Sequence, residues 1–184
     1  MKVIDILNNT DKPVFSFELV PPLKGGDINK IYEAIEPLIA LAPPFINITF
    51  HRDEVVYREY PDGTIKKVTV TKRPGSVALA AAIMRRYNVD MVPHIVCGGA
   101  TRHKIENELI DLNFLDIENV MALRGDPIPG ERFFTPEEGG HRYSCELVEQ
   151  ITRMNHGQYL DDTLTDTVPT NFCIGVAGYP EKHY

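Results

Sequence analysis

Five short stretches rich in strand-forming residues recur along the chain, at 14–19, 45–50, 91–96, 119–123 and 172–177. Between successive stretches lies a segment with apolar residues at helical spacing. This alternation constrains the fold more than any other feature. Strands separated by helices pair in parallel through right-handed crossovers. The candidates are an open doubly wound α/β sheet and a parallel (β/α)8 barrel of TIM type. No Gly-x-Gly-x-x-Gly follows the first strand and no Walker-type phosphate loop occurs, which weakens the dinucleotide-fold reading.

The helical segments are individually legible. Val3 to Leu7 reads as a short leading helix. Asp27 can cap a helix that turns Ile28, Ile31, Ile35, Leu38 and Ile39 inward. Gly75-Ser76 opens another, with Val77, Ala80, Ile83, Met84 and Tyr87 inward. Thr101 caps a third, in which Ile105, Leu109 and Leu112 form the apolar stripe and Arg102, Glu106, Glu108 and Asp111 the opposite face. A fourth starts at Tyr143 and buries Leu147, Val148, Ile151 and Met154. Residues 54–73 break the rhythm: two β-prone runs flank Pro61-Asp62-Gly63, which predicts a β-hairpin inserted after the second strand. Residues 158–170 read as polar and mobile. The expectation is a single domain over 1–184.

The strand ends carry the chemistry. Asn119 to Leu123 stops at Arg124-Gly125-Asp126-Pro127, where Gly frees and Pro stiffens the chain. The first strand ends at Glu18, the second at Thr49 and His51, the third at His94, and the fifth runs to Tyr179, Glu181 and His183. In parallel α/β folds the carboxyl ends of the strands hold the ligands. Glu18, between Phe17 and the Pro21-Pro22 turn, is expected to be partly desolvated, which would raise its pKa and make it a general acid. Asp126, beside Arg124, would stay ionised, so two carboxylates divide the acid and electrostatic roles. Thr49, His94 and Arg124 can donate hydrogen bonds to a planar cofactor or to phosphates. Each residue has a plainer reading: Arg124 and Asp126 as a surface ion pair, His94 as a core histidine with a satisfied ring, His51 and His103 as solvated. His94, His51 and His183 lack metal-ligand spacing, so no metal is expected.

Charge and cysteine content exclude several classes. A formal charge of -7 argues against nucleic acid, which would need a basic face. No apolar run approaches the roughly 20 residues of a membrane span, and the N-terminus lacks a signal-peptide apolar stretch. Cys97, Cys145 and Cys173, odd in number and far apart, read as reduced thiols in a cytoplasmic protein.

The motifs resemble a known family. Phe17-Glu18-x-x-Pro21-Pro22, Asn47-Ile48-Thr49, Pro93-His94-x-x-Cys97 and Ala122-Leu123-Arg124-Gly125-Asp126-Pro127 follow one another in its order. So do Tyr143-Ser144-x-Glu146-Leu147-Val148 and Val176-Ala177-Gly178-Tyr179-Pro180-Glu181-x-His183. The family is methylenetetrahydrofolate reductase, a flavin-dependent (β/α)8 barrel. The resemblance implies FAD at the carboxyl face, NADH or NADPH as co-substrate, and reduction of methylenetetrahydrofolate to methyltetrahydrofolate in one-carbon and methionine metabolism. It makes Glu18 the acid that opens the folate ring and Asp126 the carboxylate near flavin and pterin. Thr49, His94, Arg124, Gly125, Asp126, Tyr143, Ser144, Ala177, Tyr179 and His183 match positions lining FAD. It also implies a homo-oligomer for the full-length protein.

The sequence departs from the family in two ways: Phe50-His51 stands where many members carry Tyr-Gly, and the hairpin is absent from many bacterial members. The chain is further expected to be the N-terminal part of the barrel, about its first five βα units, with the remaining units absent. Two rivals stay open. One is a flavin-free lyase or hydrolase using Glu18 and Asp126 as an acid–base pair; a Schiff-base aldolase is disfavoured because no Lys sits at a strand end. The other is a non-catalytic fragment assembling through its sheet edges.

Overall fold

The computed structural model, which describes residues 1–178, realises the alternation as a parallel sheet backed by helices. The chain begins with α1 (Val3–Asn8), β1 (Phe17–Leu19), α2 (Asn29–Ile39) and β2 (Phe45–Ile48). The hairpin strands β3 (Glu54–Glu59) and β4 (Ile65–Val70) follow, then α3 (Ser76–Tyr87), β5 (Asp90–Val96) and α4 (Arg102–Phe114). The remainder is β6 (Asn119–Leu123), α5 (Ser144–Met154) and β7 (Cys173–Val176). The sheet order is β1-β2-β5-β6-β7, each neighbour parallel. The strands thus lie side by side in chain order, as in the wall of a barrel and unlike a doubly wound sheet, whose order reverses. The inserted hairpin forms as expected, an antiparallel pair around Pro61-Asp62-Gly63.

Strand alternation sorts the side chains into two faces. Ile46, Ile48, Met91, Ile95, Val120 and Ala122 point to the helices, where they meet Leu79, Ile83, Ile105, Leu109, Leu112, Leu147 and Ile151 in one buried core. Each fully buried Leu or Ile contributes about 1.5–3 kcal/mol, so this layer fixes which face looks out. The opposite, inner face carries Glu18, Asn47, Val92, His94, Met121 and Gly175.

Pro93 marks a change of partner within β5. Residues 90–93 pair with β2, from Phe45↔Asp90 to Ile48↔Pro93, whereas 94–96 pair with β6, from His94↔Met121 to Val96↔Leu123. Proline has no N–H to give to a ladder, and it is tolerated in this central strand where one ladder ends and the next begins. The stagger that results is what tilts and coils a barrel wall.

The amino ends of the strands are tied down by the chain's start. The Met1 ammonium lies 2.6 Å from Asp90, Val3 donates its N–H to Asn119 Oδ1 at 2.8 Å, and Asn119 Nδ2 donates to the Met1 carbonyl at 2.9 Å.

Several expectations need correction. The first strand is only Phe17–Leu19: its ladder starts at Phe17↔Ile46, and residues 14–16 lie before any partner. On α3 the buried apolar residues are Leu79, Ala80 and Ile83, so the stripe includes Leu79 and leaves Val77, Met84 and Tyr87 at its margins. Glu106, expected on the solvent face of α4, is buried, and its carboxylate accepts the Leu160 N–H at 2.7 Å. That bond helps hold the 158–170 segment, read above as mobile. Tyr159 Oη donates to the Val168 carbonyl, and Thr170 Oγ1 donates to Asn155 Oδ1, each at 2.8 Å. Among the described residues no helix is long and apolar enough to cross a membrane.

Candidate active site

Three inner-face side chains meet at the carboxyl ends of β1, β2 and β5. Glu18 sits level with Asn47 on the adjacent strand, and Asn47 with Val92 on the next. One inward step beyond Val92 is His94. Its Nε2 lies 3.7 Å from Glu18 Oε2, so the two side chains reach toward each other over Asn47. His94 is only 6% exposed, yet its Nε2 has no hydrogen-bond partner, and neither has the buried Oδ1 of Asn47. The plain reading of His94 as a satisfied core histidine therefore fails. Burial holds its pKa below 6.5, with the Glu18 charge opposing as the smaller effect. The ring is thus neutral near pH 7 and can offer or accept one proton at Nε2.

Glu18 is not the desolvated carboxyl expected from its neighbours. Its side chain is 59% exposed on the inner surface, where Phe17 and the Pro21-Pro22 turn do not cover it. Thr49, just past β2, donates through Oγ1 to the Leu19 carbonyl at 3.3 Å and contacts His51 Nε2 at 3.2 Å. His51 is exposed, and its pKa lies below 6.5 because of partial burial and then the nearby Arg73 cation.

The loop after β6 is held from two sides. Gly125 takes a left-handed φ of +86°, and a Cβ there would lie 2.7 Å from Val96 Cγ1, so only glycine fits. Arg124 does not pair with Asp126, contrary to the surface ion-pair reading. Its Nε donates to the Gly125 carbonyl at 3.2 Å, and its guanidinium lies 5.4 Å from the centre of the Phe134 ring. The cation that does reach Asp126 is Arg52, whose Nη1 donates to the Asp126 carbonyl at 3.2 Å. Its Nη2 lies 3.8 Å from Glu137, and its buried Nε is unpartnered. Gly98 makes room for this packing, since a Cβ there would lie 3.3 Å from both Arg52 Nη1 and Phe134 Cε2. The Asp126 side chain itself is exposed.

Tyr143 and Ser144 stand at the amino end of α5, which Glu146 caps by accepting the N–H groups of Arg142 and Tyr143 at 2.6 and 3.0 Å. Those two bonds hold the Glu146 carboxyl below its ordinary pKa. Ala177 follows β7 directly, exposed on the same rim. Tyr179, Glu181 and His183 lie outside the described residues. Cys97 is no nucleophile, since burial pushes its thiol up to about 11.

Sequence reasoning missed Asn47, Arg52 and Phe134 as site residues. Asn47 sits inside a strand, where it reads as an interruption. Arg52 follows the strand-end histidine and carried a usable signal: a cation in a carboxyl-end loop.

A model of the methylenetetrahydrofolate reductase family matches residues 2–184. Methylenetetrahydrofolate reductase (NADH) 1 of Arabidopsis thaliana is 29% identical over 186 residues, covering 100% of this chain and 26% of that protein. Methylenetetrahydrofolate reductase 1 of Schizosaccharomyces pombe is 30% identical over 187 residues, with the same coverage of each. A probable methylenetetrahydrofolate reductase (NADPH) of Caenorhabditis elegans is 25% identical over 180 residues, covering 98% of this chain and 23% of that protein. The chain thus spans about a quarter of the length of these relatives. With its parallel strands in barrel order and its match along nearly the whole length, the chain belongs to the methylenetetrahydrofolate reductase family.

Proposed function

We propose that this chain serves the reduction of methylenetetrahydrofolate to methyltetrahydrofolate, with NADH or NADPH as reductant and FAD as bound cofactor. The observation that supports it best is the pair of buried, unpartnered polar atoms, His94 Nε2 and Asn47 Oδ1, beside the exposed carboxylate of Glu18. Native interiors rarely leave such atoms orphaned, so they mark a surface built for a polar ligand. A flavin ring, with its alternating donors and acceptors, fits that demand. FAD, when bound, supplies the means of passing hydride from one substrate to the other.

Thr49, His94, Arg124, Gly125, Tyr143, Ser144 and Ala177 would hold the cofactor, with Tyr179 and His183 proposed from sequence alone. Arg124, resting on Phe134, offers a charge-assisted donor suited to a phosphate or carbonyl oxygen. Asp126 supplies a negative charge that tunes the reacting end of the site, and Arg52 positions its backbone. Glu18 supplies the proton to the departing ring nitrogen of the folate. That nitrogen leaves with the electron pair of its bond to the one-carbon unit, and the carbon becomes electrophilic. Neutral His94 lies 3.7 Å away, beyond hydrogen-bond reach, so its Nε2 stays free for the cofactor while Glu18 holds its proton for the folate. Ligands over the inner face exclude the water that reaches Glu18 in their absence. The family resemblance extends this reading to a cytoplasmic homo-oligomer in one-carbon metabolism.

Glu18→Gln tests the assignment. Oxidation of NAD(P)H needs no acid at the folate nitrogen, so that half-reaction should keep its rate. The folate half-reaction should slow by about 10²–10⁴-fold, the usual loss of a general acid. Stopped-flow measurement of the flavin absorption band separates the two. Equal loss in both halves would mean that Glu18 only shapes the site.

A further inference from the structure

The proposed reaction makes no use of the hairpin. Its base is fastened to the loop that follows Glu18. Lys24 donates its N–H to the Lys72 carbonyl at 2.8 Å, and the Arg73 guanidinium donates to the Pro21 carbonyl. The ribbon therefore rises from the rim of the site. Residues 54–73 carry five basic side chains against three acidic ones, in a chain of net charge -7.

The register sorts these charges. Arg58 stands directly opposite Lys66, on the face that also holds Val56, Val68 and Val70, the better covered face of the ribbon. Like charges directly opposite each other destabilise a strand pair. Among the described residues no carboxylate forms an ion pair with either side chain, whereas Lys72 at the base pairs with Glu54 at 2.5 Å. Lys66 is held 5.0 Å from the centre of the Tyr60 ring, which restrains its ammonium at the tip. Lys67 projects from the other face, opposite Tyr57.

We propose that the Arg58–Lys66 face is a docking arm for the acidic tail of the folate substrate, binding the carboxylates of its γ-linked glutamyl residues. The inference rests on the folate reading above. A folate whose reacting nitrogen lies at Glu18 must lead its glutamyl end out over the rim, and the loop after Glu18 is where this ribbon is anchored. An anion between Arg58 and Lys66 replaces their mutual repulsion with two attractions. Arg58 can meet a carboxylate with two parallel N–H donors, and Lys66 adds a point charge.

Calorimetric titration of the chain with tetrahydrofolates bearing a single glutamyl residue or a longer γ-linked tail tests this. The longer tail should bind roughly 3- to 10-fold more tightly, as expected for two exposed ion pairs. The preference should shrink with added salt. The double variant Arg58→Ala/Lys66→Ala should lose it, while Lys67→Ala, on the other face, should retain it. NADH affinity should be the same in all three proteins. Equal binding of the two folates by the unaltered chain overturns the arm and leaves the folate reading intact. Failure to bind either folate overturns both. Loss of the preference in Lys67→Ala reduces the effect to net charge and overturns a specific face. A matching loss of NADH affinity in the double variant assigns the cations to nucleotide phosphates and overturns the glutamyl assignment.

Discussion

His94 shows how one residue couples the fold to the site. Its ring is buried among strand side chains with Nε2 unpartnered, and burial holds its pKa below the ordinary 6.5. The folded state therefore keeps it neutral at a pH where the unfolded chain begins to protonate it. The sign follows from linkage. Its contribution to stability is complete above 6.5 and falls as pH drops below that value toward the lowered, folded-state pKa. In the variant His94→Asn, unfolding free energy should depend less on pH over this acidic side. Urea denaturation at pH values on either side of 6.5 measures the slope, and an unchanged slope would place the acid sensitivity elsewhere. The His94 imidazole signal of the folded protein should also titrate below 6.5.

Among the elements, α4 shows what local sequence determines. Thr101 caps it as the pattern required, its Oγ1 accepting the Lys104 N–H at 3.2 Å, and Ile105, Leu109 and Leu112 are all fully buried. Thr101→Ala should cost about 1 kcal/mol and lower Tm by roughly 2–4 °C, while Thr101→Ser should stay near the parent. A calorimetric scan decides, and an unaffected Tm would mean that the cap is replaced by water. Legibility follows the range of the deciding contact. The cap, the apolar stripes, the hairpin turn and the Arg-Gly-Asp-Pro corner rest on neighbours within a few residues. Glu106 was misplaced because its partner, Leu160, is 54 residues away. Arg124 was paired with the wrong group because Phe134, brought in by the following loop, stacks with its guanidinium. Glu18 was read as desolvated from its chain neighbours, but exposure is set by what lies across the sheet, and no periodicity encodes that. Strand alternation gave the inner face its members, while the contact of Glu18 with His94 over Asn47 needed the strand order and register.

At the scale of the whole molecule, the two ends of the sheet differ in kind. The amino ends are fastened by Asn119, buried to 2% exposure and bonded to both Met1 and Val3. Asn119→Ala should destabilise by about 1–3 kcal/mol, since it orphans a backbone donor and acceptor at once. Hydrogen exchange should quicken at Val3 and through α1, while the amides of α4 and α5 slow down no less than before. Exchange that rises uniformly would show that α1 is no separate unit. The carboxyl ends carry the polar groups, with Arg52 holding the loop after β6. Between them runs the changeover at Pro93, which leaves the ladder of β1 and β2 on one side and that of β6 and β7 on the other. Glu18 and Asn47 belong to the first set and His94 opens the second, so the 3.7 Å gap between Glu18 and His94 spans the seam. That distance is therefore set jointly by the registers of both ladders, and by neither alone.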